Sequence, residues 1–186
     1  MVEKSSDYTD KELMRLFRDP ESREHAFTLI VGKYQEKLYW HIRKLLIDHN
    51  DTDDTLQNTF IKVWKALTNF REDASLYTWI YRIATNEALS FLKDKKHRFL
   101  LPLVDVEKQL ANQLESDPYF NGDELQLKFQ KALLTLPEKQ RLVFNMKYFD
   151  EMKYEEIAEI LGTSVGALKA SFHHAVKKIE NYISKH

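Results

Sequence analysis

Seven histidines, twenty-nine carboxylates and no cysteine bound the chemistry this 186-residue chain can carry. A helical zinc hydrolase site needs two histidines on one face with a glutamate beside them, yet no HExxH occurs and no glutamate stands three residues before any histidine. His173 and His174 are adjacent. On a helix such neighbours diverge by about 100° and do not share a metal. The absence of cysteine removes disulfides, thiolate metal sites and thiol nucleophiles together. Four glycines supply no phosphate-cradling loop, there is no GxxxxGK, and no carboxylate pair stands out above the surface charge. The chain therefore reads as a protein with no catalytic residues, no metal and no cofactor.

What remains is recognition by polar and cationic side chains. Thr78, Arg82, Asn86 and Lys93 recur at helical spacing, so all four can face solvent or a ligand. Lys93, Lys95, Lys96 and Arg98 outweigh Asp94 just beyond them. A second polar face holds Gly166, Ala170, His173, His174, Lys177, Lys178 and Asn181, opposite the apolar stripe Val165, Leu168, Phe172, Val176, Ile179 and Ile183. Between these basic patches, residues 100–124 hold six acids against one lysine. The formal net charge of −1 argues against a protein that coats DNA without specificity.

The elements that must position these groups are helices. Glycine and proline number four each, apolar residues recur at helical steps almost throughout, and two-residue alternation between turn pairs is not evident. The fold expected is all-α: two small helical domains joined by an acidic linker. Thr9-Asp10-Lys11-Glu12 has the pattern of a capping box. A second helix fits Ser22 to Ile47, ended by the polar cluster Asp48–Asp51, and a third starts near Thr52 with Leu56, Phe60, Val63 and Leu67 on its inner stripe and Asp53 and Asp54 in its first turn. After the loop Asn69–Ala74, a fourth helix spans about Ser75–Lys95, burying Leu76, Ile80, Ile83, Ala84, Ala88 and Phe91. Pro102, Pro118 and Gly122 place the linker at 100–124, between domains at 1–99 and 125–186. No apolar run reaches about 18 residues and the N-terminus lacks the apolar stretch of a secretory signal, so no membrane insertion is expected and a cytoplasmic location is.

In the C-terminal part, Pro137 stands where a first helical residue loses nothing by lacking its N–H. Tyr154–Leu168 then reads as helix-turn-helix: Ala158 is small at a close crossing, Gly162 supplies a left-handed turn, and Ser164 caps the second helix. Ile157, Leu161 and Leu168 fill the wedge between the helices. Small residues early in that second helix let a backbone approach the floor of a major groove, and the lysines beyond can meet phosphates. A plain helical hairpin with a solvated face satisfies the same pattern.

The chain resembles the extracytoplasmic-function sigma factors over about residues 22–98 and 125–184. The resemblance is carried by Asp53–Trp64, by Phe70-Arg71-Glu72-Asp73-Ala74-Ser75-Leu76-Tyr77-Thr78-Trp79 running on to Leu89, and by Leu136–Arg141 with Tyr154–Lys178. It implies roles for these segments. Asp53, Asp54, Gln57, Phe60 and Trp64 would dock on core RNA polymerase. Asn69, Phe70, Arg71, Ser75, Thr78, Trp79, Arg82 and Asn86 would hold the melted −10 element of promoter DNA, with Lys93, Lys95, Lys96 and Arg98 on phosphates upstream. Unpaired bases need polar edges and planar faces, and their backbone needs cations. Ser164, Gly166, Lys169, Ala170, His173, His174, Lys177 and Lys178 would read the −35 element. The commoner pattern has arginines where Thr85 and Ser171 stand, and often where His174 stands, so contacts to DNA should differ. An anti-sigma factor is a further partner that the resemblance implies. Two alternatives keep other predictions. A stand-alone helix-turn-helix regulator would bind its promoter without polymerase, and an interaction protein with no DNA role would tolerate Lys177→Glu and Arg82→Ala.

Overall fold

The computed structural model describes residues 5, 8–99 and 124–185, without the side chains of 96–99. Among these residues the chain is all-α, as expected. The helices are α1 (Asp10–Arg18), α2 (Arg23–Leu46), α3 (His49–Leu67), α4 (Leu76–Phe99), α5 (Glu124–Leu134), α6 (Glu138–Phe144), α7 (Tyr154–Leu161) and α8 (Val165–Lys185). A π-helical turn, Asn145–Phe149, extends α6. The proposed linker lies almost wholly outside the described residues.

Local signals explain most boundaries. Thr9 and Glu12 form the expected capping box of α1. Asp48, read as part of a helix end, instead starts α3 by accepting from the Asp51 amide at 2.9 Å. The helix therefore begins three residues earlier than expected, and Asp53 and Asp54 sit past its first turn. The tight α2–α3 junction holds Ile47 at φ 65°, a conformation that a β-branched residue adopts only when its surroundings impose it. Pro137 caps α6 from outside, with ψ 142°, and does not occupy its first turn. Gly162 takes the left-handed conformation expected of it, φ 61°.

The inner stripe of α3 also differs. Thr52, Thr55 and Thr59 line it with Val63 and Leu67, while Leu56 and Phe60 are only half-buried. Two of these threonines satisfy themselves within the helix, the hydroxyls of Thr52 and Thr59 donating to the carbonyls of Asp48 and Thr55, while the buried Thr55 hydroxyl makes no hydrogen bond among the described residues.

One apolar core runs through α1–α4 and continues into Leu142, Val143, Met146, Met152, Ile157, Ile160 and Leu168 of the C-terminal helices. A smaller one, including Leu133, Leu136, Phe144, Ala175 and Ile179, holds α5, α6 and α8 together. The two helical groups are thus packed against each other, α7 on α4 and the π turn on α2.

Candidate nucleic-acid interface

The loop after α3 and the start of α4 form a cleft of about 180 Å³ lined by Asn69, Phe70, Arg71, Asp73, Ala74, Trp79 and Arg82. Phe70 and Trp79 stand 5.0 Å apart, ring to ring, tilted by 45°. Glu72 occupies the left-handed region at φ 60°, with its carboxylate drawn back to Arg18 of α1. Its neighbours Arg71 and Asp73 are left lining the cleft. Arg82 and Asn86 are exposed on α4, one turn apart.

Two residues expected in this site are committed elsewhere. Thr78 is only 2% exposed and cannot belong to the solvent-facing stripe. Its hydroxyl pairs with Ser75 Oγ at 2.7 Å, and Ser75 Oγ also accepts from the Thr78 amide, which caps α4. Lys93 is exposed, but Lys95 is ion-paired with Asp51 of α3 at 2.6 Å. The side chains of Lys96 and Arg98 fall outside the described residues.

On α8, Gly166, Lys169, Ala170, His173, His174, Lys177 and Lys178 are all exposed, and Ser164 Oγ accepts from the Ala167 amide at 3.3 Å. Lys169 Nζ lies 5.8 Å from the centre of the Tyr154 ring. Leu168 and Ala175 anchor the opposite face. On α3, Asp53, Asp54 and Gln57 are exposed. Trp64 is both core and surface: 37% exposed, it packs edge-on against Phe17 and Phe27. No cluster of three or more potential metal ligands occurs among the described residues.

A third polar constellation lies at the joint between the groups. His41 of α2 is fully buried, its Nδ1 2.9 Å from Asp150 Oδ2 and its Nε2 2.9 Å from Thr85 Oγ1 of α4. Lys44 Nζ reaches the other Asp150 oxygen at 2.6 Å and lies over the Phe149 ring. Asp150 follows the π turn, where its amide bonds back to Asn145 and the chain turns through Glu151 at φ 53°. Burial opposes ionisation of Asp150. Hydrogen bonds and charge from His41 and Lys44 outweigh it and hold the carboxyl below its usual range. Burial pushes the neighbouring Tyr81 phenol up, so it stays protonated.

The matches to known proteins cover these elements. Residues 30–98 match the family described as Sigma-70 region 2, and residues 126–179 match Sigma-70, region 4. The ECF RNA polymerase sigma-E factors of Salmonella typhimurium and Escherichia coli K12 are each 31% identical to the chain, with 96% of both sequences aligned. The RNA polymerase sigma-H factor of Pseudomonas aeruginosa is 31% identical with 92% of both covered. The chain belongs to the extracytoplasmic-function sigma factors. Among solved structures, CnrH in complex with the cytosolic domain of CnrY superposes with a TM-score of 0.70 at 22% identity, covering 95% of this chain and 97% of that one. The Bartonella quintana sigma factor RpoE, in complex with the anti-sigma factor NepR, gives 0.66 at 20% identity, over 85% and 96%. These two likenesses concern the fold.

In this sigma factor Thr85, which stands where the commoner pattern has an arginine, sits 1% exposed against His41. The joint residues His41, Lys44 and Asp150 were invisible to local spacing, because 109 positions separate His41 from Asp150. One signal was present. His41 falls on the inward stripe of α2 with Tyr34, Leu38, Ile42 and Leu45, and a polar ring on a buried stripe requires a partner.

Proposed function

We propose that this sigma factor joins core RNA polymerase and directs initiation by reading two promoter elements with two separate surfaces. Exposed Asp53, Asp54 and Gln57, with the outer parts of Phe60 and Trp64, form the polymerase-facing surface of residues 1–99. The cleft beside Phe70 receives an unpaired base of the −10 element. Arg71 and Arg82 neutralise the strand's phosphates, Trp79, backed by the buried Phe70, offers a ring face, and Asn86 supplies a donor and an acceptor for a base edge. Lys93, with Lys96 and Arg98, holds phosphates upstream. Residues 125–186 carry α8 into the major groove at the −35 element, with Ala170, His173 and His174 nearest the bases and Lys177 and Lys178 on the backbone.

The observation that carries this reading is the cleft itself. Two exposed arginines flank a pair of aromatic rings in a concavity about the size of one base, on the stretch that matches region 2. Polymerase supplies the catalytic chemistry and this chain the recognition, which also puts it in the cytoplasm. The Bartonella quintana sigma factor RpoE is held by the anti-sigma factor NepR. We extend that kind of partner to this chain, which has no described helix long and apolar enough to cross a membrane.

Reconstitution of the purified chain with core polymerase is the test. Specific transcripts from a promoter bearing both elements are expected, with no footprint from the chain alone. A footprint without polymerase would favour a stand-alone regulator. No complex with core polymerase on gel filtration would end the proposal.

A further inference from the structure

Glu72 stands in the middle of the loop that builds the −10 cleft, and it faces the other way. Arg71 and Asp73 line the front cleft with Trp79 and Arg82. Glu72 instead lines a second concavity, of about 210 Å³, between the loop and α1, where Met14, Phe70 and Leu76 supply apolar walls. Phe70 and Ala74 border both spaces, so the loop is a thin partition between them.

Little else fixes this partition. The Phe70 amide bonds to the Leu67 carbonyl at 3.1 Å on one side, and Ser75 caps α4 on the other. Among the described residues no backbone hydrogen bond holds 71–74 between these two points, and Glu72 carries the only ion pair of the segment. Glu72 also lies at φ 60°, a region that glycine enters freely and that other residues adopt only when their surroundings compensate. The compensating partner is the Arg18 guanidinium, which donates to the Glu72 carboxylate. Arg18 is well anchored. Its helix buries Leu13, Met14 and Phe17, and Phe17 meets Trp64 edge-on at 5.5 Å. At the far end of α1, Asp10 accepts from Lys33 at 2.7 Å and from the Tyr34 hydroxyl at 2.6 Å. All of α1 precedes residues 30–98, the stretch that matches region 2.

We infer that Arg18 and Glu72 are positioning residues for −10 recognition, their ion pair pinning the loop from behind so that Arg71 and the cleft meet the unpaired base in one arrangement. The inference rests on the two-element reading above. An exposed pair adds little to global stability. Here it acts on a four-residue span over an unfilled space, so a small energy decides what fraction of loops is ready to bind. The plain electrostatic alternative has the opposite sign. A glutamate that was merely a negative charge near the strand would oppose DNA, and its removal would strengthen binding.

The test uses the full chain in holoenzyme. Initiation is compared at a promoter with an intact −10 element and at promoters with its bases replaced in turn. A replaced base gains nothing from the cleft, so the ratio of the two rates reads the readiness of the loop. Arg18→Ala and Glu72→Ala should each lower that ratio by about three- to fivefold. Alanine at position 72 keeps the backbone cost of a side chain at positive φ and removes only the carboxylate arm. The double variant should fall no lower than either single one, because both remove the same interaction. A ratio lowered by only one substitution, or by neither, would overturn the inference, as would losses that multiply in the double variant.

The order of the loop is read separately by limited proteolysis. Trypsin should cut after Arg71 at least about threefold faster in Arg18→Ala than in the wild type. An unchanged rate would also overturn the inference. Failure of the promoter reading looks different: the wild type itself would show no preference for the intact −10 element, while the proteolysis comparison would be unaffected.

Discussion

Lysine and arginine occupy two kinds of place in this molecule. At the joint, Lys44 is held by the Asp150 carboxylate and the Phe149 ring, beside a fully buried histidine that spends both ring nitrogens on partners. On the faces assigned to DNA, Arg71, Arg82, Lys93, Lys177 and Lys178 are exposed, and none is ion-paired with an acid among the described residues. Folding has consumed the first kind of charge and left the second kind available. A cation already neutralised inside a protein has little left to give a phosphate, whereas a solvated one releases counterions when it meets DNA. Pairing within the fold thus separates structural from recognition charges better than residue type does.

Core packing at the joint should show the largest effect of breaking that division. Ile157 of α7 is fully buried in the core shared with α1–α4. Ile157→Ala should cost about 2–5 kcal/mol in a denaturant titration. Arg82→Ala and Asn86→Ala should do the reverse, leaving stability within about 0.5 kcal/mol. Loss of a charge-assisted contact is worth about 1.5–3 kcal/mol, so initiation in run-off assays should fall roughly ten- to a hundredfold for Arg82→Ala. If Arg82→Ala instead lowered stability as much as Ile157→Ala, the contrast between joint and face would be lost. A smaller effect is expected for Lys177→Glu. Holoenzyme binding to promoter DNA should weaken, and the slope of its salt dependence should drop by about one or two phosphate contacts, as read by fluorescence anisotropy over a salt series.

The joint also carries a pH signature. The folded Asp150 carboxyl lies below its usual range, so its contribution to stability is present above the unfolded value, near 4, and is lost as pH falls through the lower folded value. The difference in melting temperature between wild type and Asp150→Asn should therefore be insensitive to Asp150 titration above about pH 5 and should shrink in more acid solution. A difference that vanished already at pH 6 would show that the carboxylate is not held by its cations.

Much of this was readable in the sequence, and the misses have physical causes. Helices, the Gly162 turn and the exposed face of α8 follow from local rules of period, capping and backbone freedom, which a single segment specifies by itself. Asn69, Arg71, Trp79 and Arg82 meet in one cleft because a loop and the helix it feeds are neighbours in sequence. Thr78 shows the limit. Its spacing matches Arg82 and Asn86, but at the first turn of α4 the stripe passes under the loop, and Ser75 claims its hydroxyl. The α3 threonines misled in the opposite sense, since hydroxyls that bond back to their own helix can line a core. His41 and Asp150 needed tertiary knowledge, because nothing local tells a charge which distant charge it will meet.

The finest test of the division lies within one basic cluster. Lys93 and Lys95 look equivalent in sequence, two lysines at the end of α4 among others. In the fold Lys93 is solvated, while Lys95 is tied to Asp51 with about a quarter of each side chain exposed. Lys93→Ala should weaken promoter binding by about one phosphate contact and leave stability unchanged. Lys95→Ala should leave binding nearly intact and cost less than about 1 kcal/mol of stability, as a partly exposed pair does. Asp51→Asn supplies the converse: freeing Lys95 should strengthen binding by about as much as Lys93→Ala weakens it, with a steeper salt dependence. Equal losses of binding from Lys93→Ala and Lys95→Ala would mean that the Asp51 pair breaks on DNA at no cost. Pairing in the free protein would then have no power to predict which cations DNA uses.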